Sequence, residues 1–296
     1  MTSETLSAND AQRWQRRADL IKKRISHVPA YLVLGGWSLV TLFMFVWVIL
    51  ASLKTNKELY TDVWALPTKL HFENYTKALF TVNLGGFFIN SLVVVLPAVL
   101  MILVLSAPAS YILSRKKFRG SNLIMMIFVA GIGIPVPLLF IPLFVILTAL
   151  KINNTLFGLG VLYVALALPF TVFMLTGFFG SLPPELEEAA TIDGASDFQV
   201  FFSVMLPLAT PGLITATIFN FINIWNEYQL ALVFLNDPKL STLSLGLYSL
   251  TNAMQYTGDW TGLMAGVVIV MVPTIILYII LSERMISGIT MGAVKS

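Results

Sequence analysis

The chain has 296 residues, 57% of them hydrophobic and only 11% charged, with a mean hydropathy of +0.84 and a net charge of +3. One water-soluble core cannot hide that much apolar surface, so an integral membrane protein is expected. The small positive excess argues against a nucleic-acid partner; the absence of cysteine rules out disulfides and thiolate metal sites.

Residues 1–29 are polar and carry Arg13, Arg16, Arg17, Lys22, Lys23 and Arg24 ahead of the first apolar run, which places this end in the cytoplasm. A cleaved signal peptide is the competing reading, but Pro29 to Leu53 exceeds a usual h-region and no Ala-x-Ala site follows. Neither His27 nor His71 has a metal-ligand partner at helical spacing. Six stretches, near 30–52, 88–113, 122–147, 155–180, 208–232 and 262–282, are long enough to cross a hydrocarbon core, which takes about 20 apolar residues. The expected fold class is therefore all-α, an integral membrane protein with six transmembrane helices and both termini inside. It divides into the arm (1–29), the first span with an outer loop (30–84), a five-span core (85–282) and an inner tail (283–296). Twelve of the 18 Lys and Arg residues fall on the inner segments, and Arg115-Lys116-Lys117-Phe118-Arg119 after the second span supplies much of that bias.

The spans are rich in helix breakers: Pro97 and Pro108 in the second, Gly131, Gly133, Pro135, Pro137 and Pro142 in the third, Pro169 in the fourth and Pro273 in the sixth. Proline frees backbone carbonyls that in lipid must find a neighbouring helix or a water-filled cavity, so kinked helices around a pathway are one reading. The other is that Gly and Pro are simply commoner in transmembrane helices. Two outer loops are long. Lys54 to Phe87, with Tyr60, Trp64 and Tyr75, is expected to fold as a small cap; Leu235 to Trp260 holds a short helix through Leu243, Leu247, Leu250 and Met254. One acid ends an apolar run, in Asn223-Ile224-Trp225-Asn226-Glu227-Tyr228. A carboxylate at mid-membrane costs roughly 2.5–3.5 kcal/mol, so Glu227 must face protein, water or the interface. Asn223, Trp225, Asn226, Glu227 and Tyr228 suit either contact with a sugar ring or an interfacial belt around a structural acid.

Between the fourth and fifth spans lies an acidic interruption, Pro183-Pro184-Glu185-Leu186-Glu187-Glu188-Ala189-Ala190-Thr191-Ile192-Asp193-Gly194. Prolines suit a helix's first turn and glutamates its positive end, so a helix is expected from Glu185, ending at Gly194. Ser196 and Gln199 have capping-box spacing, and Val200 to Leu206 runs apolar up to Pro207, so a second helix follows at once. The segment carries no Lys or Arg, and its inward side follows from counting spans.

Glu188-Ala189-Ala190, Gly194 after three residues, and Val204-Met205-Leu206-Pro207 after nine more resemble the EAA loop of permease subunits of binding-protein-dependent ABC importers; Val204 stands where isoleucine is more usual. Gly258-Asp259-Trp260-Thr261-Gly262-Leu263-Met264-Ala265 and the ending Ser287-Gly288-Ile289-Thr290-Met291-Gly292-Ala293-Val294-Lys295 look like the carbohydrate branch. Within it the chain is most similar to the smaller permease subunits of maltose and maltodextrin importers. The resemblance implies a type I importer permease fold with a cytoplasmic coupling helix in the bacterial inner membrane. Its implied partners are a pair of cytoplasmic ATPase subunits, a second permease subunit, a periplasmic sugar-binding protein and membrane lipid. It also implies ATPase docking through Glu185, Leu186, Glu188, Ala189, Ala190, Gly194 and Phe198, and an outer loop with Asn252, Met254, Gln255 and Tyr256 facing the binding protein, or else lying on its own spans. No Gly-x-x-x-x-Gly-Lys-Ser/Thr loop occurs, so no cofactor is expected on this chain, with ATP and Mg on the partners. The rival is an ion-coupled secondary transporter or channel, for which Glu227 is the one candidate carboxylate.

Overall fold

The computed structural model describes residues 29–116 and 118–293, and among these every regular element is a helix. The basic arm with His27, Lys117, and the last three residues lie outside the described residues. Helix α1 (Pro29–Ser52) leads into a cap built from α2 (Asn56–Thr61), α3 (Glu73–Thr76) and a wide π-type turn at Lys77–Thr81. Next come α4 (Leu84–Arg115), α5 (Ser121–Ile132), α6 (Phe140–Ala149) and α7 (Leu156–Ser181). An elbow of α8 (Glu185–Ile192), α9 (Asp197–Gln199), a π-type turn at Val200–Met205 and α10 (Leu206–Leu208) precedes α11 (Thr210–Asn226). The chain closes with α12 (Gln229–Phe234), α13 (Leu243–Thr257) and α14 (Trp260–Ala293).

Four of the six expected spans are single helices, α1, α4, α7 and the Trp260–Ile280 part of α14, and the other two are broken. The third bends by 100° between Ser121–Ile132 and Val136–Ala149. Pro135 and Pro137 supply no N–H and Pro135 itself is extended (ψ 121°), so the chain leaves the helix and turns through a short 3-10 segment at Val136–Leu139. The fifth, expected as one helix over 208–232, is instead α11, joined to the elbow at a 69° bend flanked by Pro207 and Pro211. It stops at Asn226 because Glu227 is extended (ψ 128°), and α12 restarts two residues on. Helix α14 continues to Ala293, past residue 282.

Helices α4 and α7 are the spine, and two cores form along them. One gathers Leu84, Ile102, Leu159, Trp225, Phe234 and Leu243; the other gathers Tyr111, Leu175, Phe179, Val200, Phe201 and Met205. Ser110 donates to the Val172 carbonyl across the pair at 3.1 Å. Helix α11 lies so close to α7 that a Cβ on Gly212 would stand 2.6 Å from Phe178 Cγ. Leu100, Ile127 and Ile141 point outward, as does nearly all of α1, and lipid makes that exposure costless.

The segment from Lys54 to Phe87 does fold as a cap. Buried Lys54 donates to the Asp62 and Val63 carbonyls at 3.2 and 3.1 Å, and Trp64 packs on Phe43 and Trp47 of α1. Thr55 and Glu58 form a capping box, and Thr68 also donates to Glu58. Backbone and hydroxyl hydrogen bonds from Thr55 and Thr68 hold the Glu58 carboxyl down at about 2. Asp259, preceding α14, accepts from Asn56 (3.0 Å), Lys77 and the Gly262 N–H (3.1 Å), tying the cap to the last helix. Burial pushes its carboxyl up, but the hydrogen bonds from Lys77, Asn56 and Gly262 outweigh that and leave it below the usual range.

Candidate functional site: an acidic elbow and a polar pocket

The elbow has the local structure its residues dictate. Pro184 precedes α8, and Glu185, Glu187 and Glu188 occupy the first turn at the positive end of the helix dipole. Gly194 ends it in the left-handed region (φ +85°), donating to Thr191 O, while the Ala195 N–H reaches back to Ala190 O, both at 3.0 Å. Ser196 and Gln199 then form a complete capping box. Pro207 cannot donate and its ring crowds the preceding turn, which accounts for the widened turn at Val200–Met205 in place of a regular helix.

The elbow has an inner and an outer face. Glu185, Leu186, Glu188 and Ala189 are exposed, as are Ile192 (85%) and Phe198 (71%). Ala190 is turned the other way, against the second core, and so is not part of the outward surface. Glu187, which sequence reasoning passed over, also points inward. Its carboxylate accepts from the Tyr111 hydroxyl at 2.8 Å and lies 3.3 Å from Lys116 Nζ and 3.9 Å from Arg115 Nε. Arg115 also donates to the Leu182 carbonyl at the end of α7. Asp197 beside Lys116 holds its ammonium above the ordinary lysine range against the opposing effect of partial burial, with Glu187 adding to the rise. Arg115, Glu187, Glu188 and Ile192 line an open cleft of about 590 Å³ at this face. The readable signal was charge complementarity: a basic run after α4 and an acidic segment without Lys or Arg after α7.

The second candidate lies where two helix breaks approach each other. Val136 after the α5 break, Tyr163 on α7, Asn220 and Asn223 on α11, and Glu227 and Gln229 beyond it surround a pocket of about 340 Å³. Glu227 accepts from Tyr163 (2.9 Å) and from the Leu230 N–H (2.8 Å), so its carboxyl oxygens are satisfied by a hydroxyl and by the start of α12. Asn220 is paired with Thr171. Of the residues expected to meet a solute ring, Asn223 and Glu227 line the pocket, and Asn226 is exposed. Trp225 is corrected: it is 1% exposed, stacked on Phe221 at 5.4 Å and donating to the Val270 carbonyl, so neither indole face is open. Tyr228 stacks on Tyr248 at 4.9 Å.

Helix α13 is buried along part of its length and exposed along the rest. Its first half packs through Leu243 and Leu245 and Met254 is buried, which removes Met254 from the expected contact set; Asn252, Gln255 and Tyr256 (91% exposed) face out.

The family described as "Binding-protein-dependent transport system inner membrane component" matches residues 103–289. The diacetylchitobiose uptake system permease protein NgcG of Streptomyces coelicolor is 38% identical over 271 residues, covering 92% of this chain and 88% of its own. The sulfoquinovosyl glycerol transport system permease protein SmoH of Agrobacterium fabrum is 36% identical over 256 residues, 86% and 89% of the two chains. Among solved structures, a chain of a bacterial ABC transporter involved in the import of the acidic polysaccharide alginate matches with a TM-score of 0.72 and 25% identity, covering 88% of this chain and 97% of that one.

Proposed function

This chain belongs to the inner membrane components of binding-protein-dependent transport systems, and from that premise we propose that it is the permease subunit of an ATP-driven sugar importer. The observation that carries the reading is the elbow: an exposed acidic helix with Leu186 and Ile192 outward and Phe198 outward on the next limb, fastened on its inner face through Glu187 to the end of α4. Apolar groups ringed by charge at the tip of a membrane bundle suit a protein partner better than water.

Cytoplasmic ATPase subunits, holding ATP and Mg, seat on Glu185, Leu186, Glu188, Ala189 and Phe198, and their closure moves the elbow. The Gly194 bend lets α8 and the α9 limb meet the partner at a fixed angle. Both termini lie on that inner side. A second permease subunit completes the pathway, and the polar pocket around Asn223, Glu227 and Gln229 lies along it, with a periplasmic sugar-binding protein meeting Asn252, Gln255 and Tyr256. The substrate class is an oligosaccharide or other glycoside, by analogy with the relatives named for diacetylchitobiose, sulfoquinovosyl glycerol and alginate. Maltose and maltodextrin are the narrower choice, resting on overall similarity of sequence. In the ion-coupled rival Glu227 would be the carrier carboxylate, yet it is engaged as a helix cap.

The chain has no cysteine, so a single Glu188→Cys substitution gives a clean test in membranes holding the whole transporter. A crosslink to an ATPase subunit, formed only from the cytoplasmic side, is expected. Labelling of that cysteine by a membrane-impermeant reagent added outside would reverse the topology and refute the reading. Uptake abolished by an uncoupler while ATP stays high would favour the ion-coupled rival.

A further inference from the structure

Lys116, the residue that ends α4, is the one side chain among the described residues that pairs with both limbs of the elbow. Its Nζ lies 3.3 Å from Glu187 on α8 and 2.9 Å from Asp197 on α9, with the Gly194 bend between them. Glu187 is further held by Tyr111 and approached by Arg115, both on α4. Lys116 and Arg115 also stand at the negative end of the α4 dipole, so each is favoured there before any pairing. The chain itself joins the elbow only to α7 and α11, and nothing covalent ties it to α4.

We propose that Lys116 is a positioning residue that clasps the two elbow limbs to the end of α4, so that α4 moves with the elbow as one body when the ATPase subunits close. The proposal rests on the docking function above and adds a load path to it: α4 is packed along α7 through the Ser110 to Val172 hydrogen bond and the shared core, so motion taken up by α4 reaches the spine of the bundle. Bonds along the backbone at Gly194 fix the bend locally, and Tyr111 holds the α8 limb alone, whereas the clasp ties both limbs to a helix distant in sequence.

The test uses the assembled transporter with spin labels on Phe118→Cys and Asp193→Cys, both exposed positions on either side of the clasp. With Lys116 present, one narrow separation is expected, unchanged between nucleotide-free and ATP-Mg states. In Lys116→Met, where two partly exposed ion pairs are lost, the population at other separations should rise roughly two- to tenfold and should respond to nucleotide. Lys116→Arg should restore the narrow distribution, and Asp197→Asn, which loses one arm of the clasp, should fall between. A single unchanged distance in Lys116→Met, or a nucleotide-dependent distance with Lys116 present, overturns the proposal. Failure of the unsubstituted chain to retain ATPase subunits would instead refute the docking function, and the width of the nucleotide-free distribution would still decide the clasp.

Discussion

Gly194 gives the sharpest test of how the elbow works, because its φ of +85° is open to glycine and strained for most other residues, while an added Cβ would meet no atom within 4 Å. The whole cost of substitution is therefore backbone strain, about 1–2 kcal/mol for an alanine forced into the left-handed region. That cost falls on the two hydrogen bonds closing α8, from Gly194 to Thr191 and from Ala195 to Ala190. Opening of this cap should become roughly 5- to 30-fold more frequent. Hydrogen exchange in detergent or nanodiscs would show it as faster exchange at the Ala195 amide, with amides of α4 and α7 unchanged. Because the space is empty, Gly194→Leu should be no worse than Gly194→Ala, and Gly194→Asn should be milder, since asparagine tolerates this region. If alanine exchanges like glycine, the strain argument is wrong; if leucine is much worse than alanine, the position is crowded and the cost is steric. On the proposed function, the alanine variant should also hydrolyse ATP with less solute moved per turnover.

At Gly212 the opposite physics applies. Its φ is ordinary, but an added methyl would strike the Phe178 ring, so Gly212→Ala should destabilise by about 1–3 kcal/mol through overpacking, measurable as a lowered midpoint of thermal unfolding, and Phe178→Leu should recover part of it. The cap should loosen in acid. Glu58 and Asp259 both sit below their ordinary pKa values, so the stability they contribute is complete above about pH 4.5 and is lost as pH falls through their depressed values, about 2 for Glu58. Fluorescence of Trp64, packed on Phe43 and Trp47, should report this change below pH 4, and no change there would place the cap's stability elsewhere.

Much of this was legible in the residues. Long apolar runs specify spanning helices because lipid leaves no other partner for the backbone, and α1, α4, α7 and α14 begin within a few residues of where hydropathy places them. The elbow was legible for a different reason: proline, acidic first turn, glycine and capping box are all local devices acting within about four residues, and the structure follows each. The two breaks were less readable. Pro135 and Pro137 mark a disruption, but whether the chain kinks slightly or turns through 100° depends on what surrounds it.

What the sequence determined by itself was the number and placing of the apolar segments and the helix, bend and helix of the elbow, because each depends on bonds between near neighbours or on contact with lipid. What only the tertiary structure decided was direction: that Glu187 turns inward to Tyr111 and Lys116 while Glu188 stays outside, that Trp225 belongs to the core, and that Glu227 caps a helix and binds Tyr163. Adjacent residues on a helix differ by about 100° in heading, and which heading meets a partner is fixed by chain 45 to 76 residues away for these side chains. Local spacing carries no record of such distant neighbours.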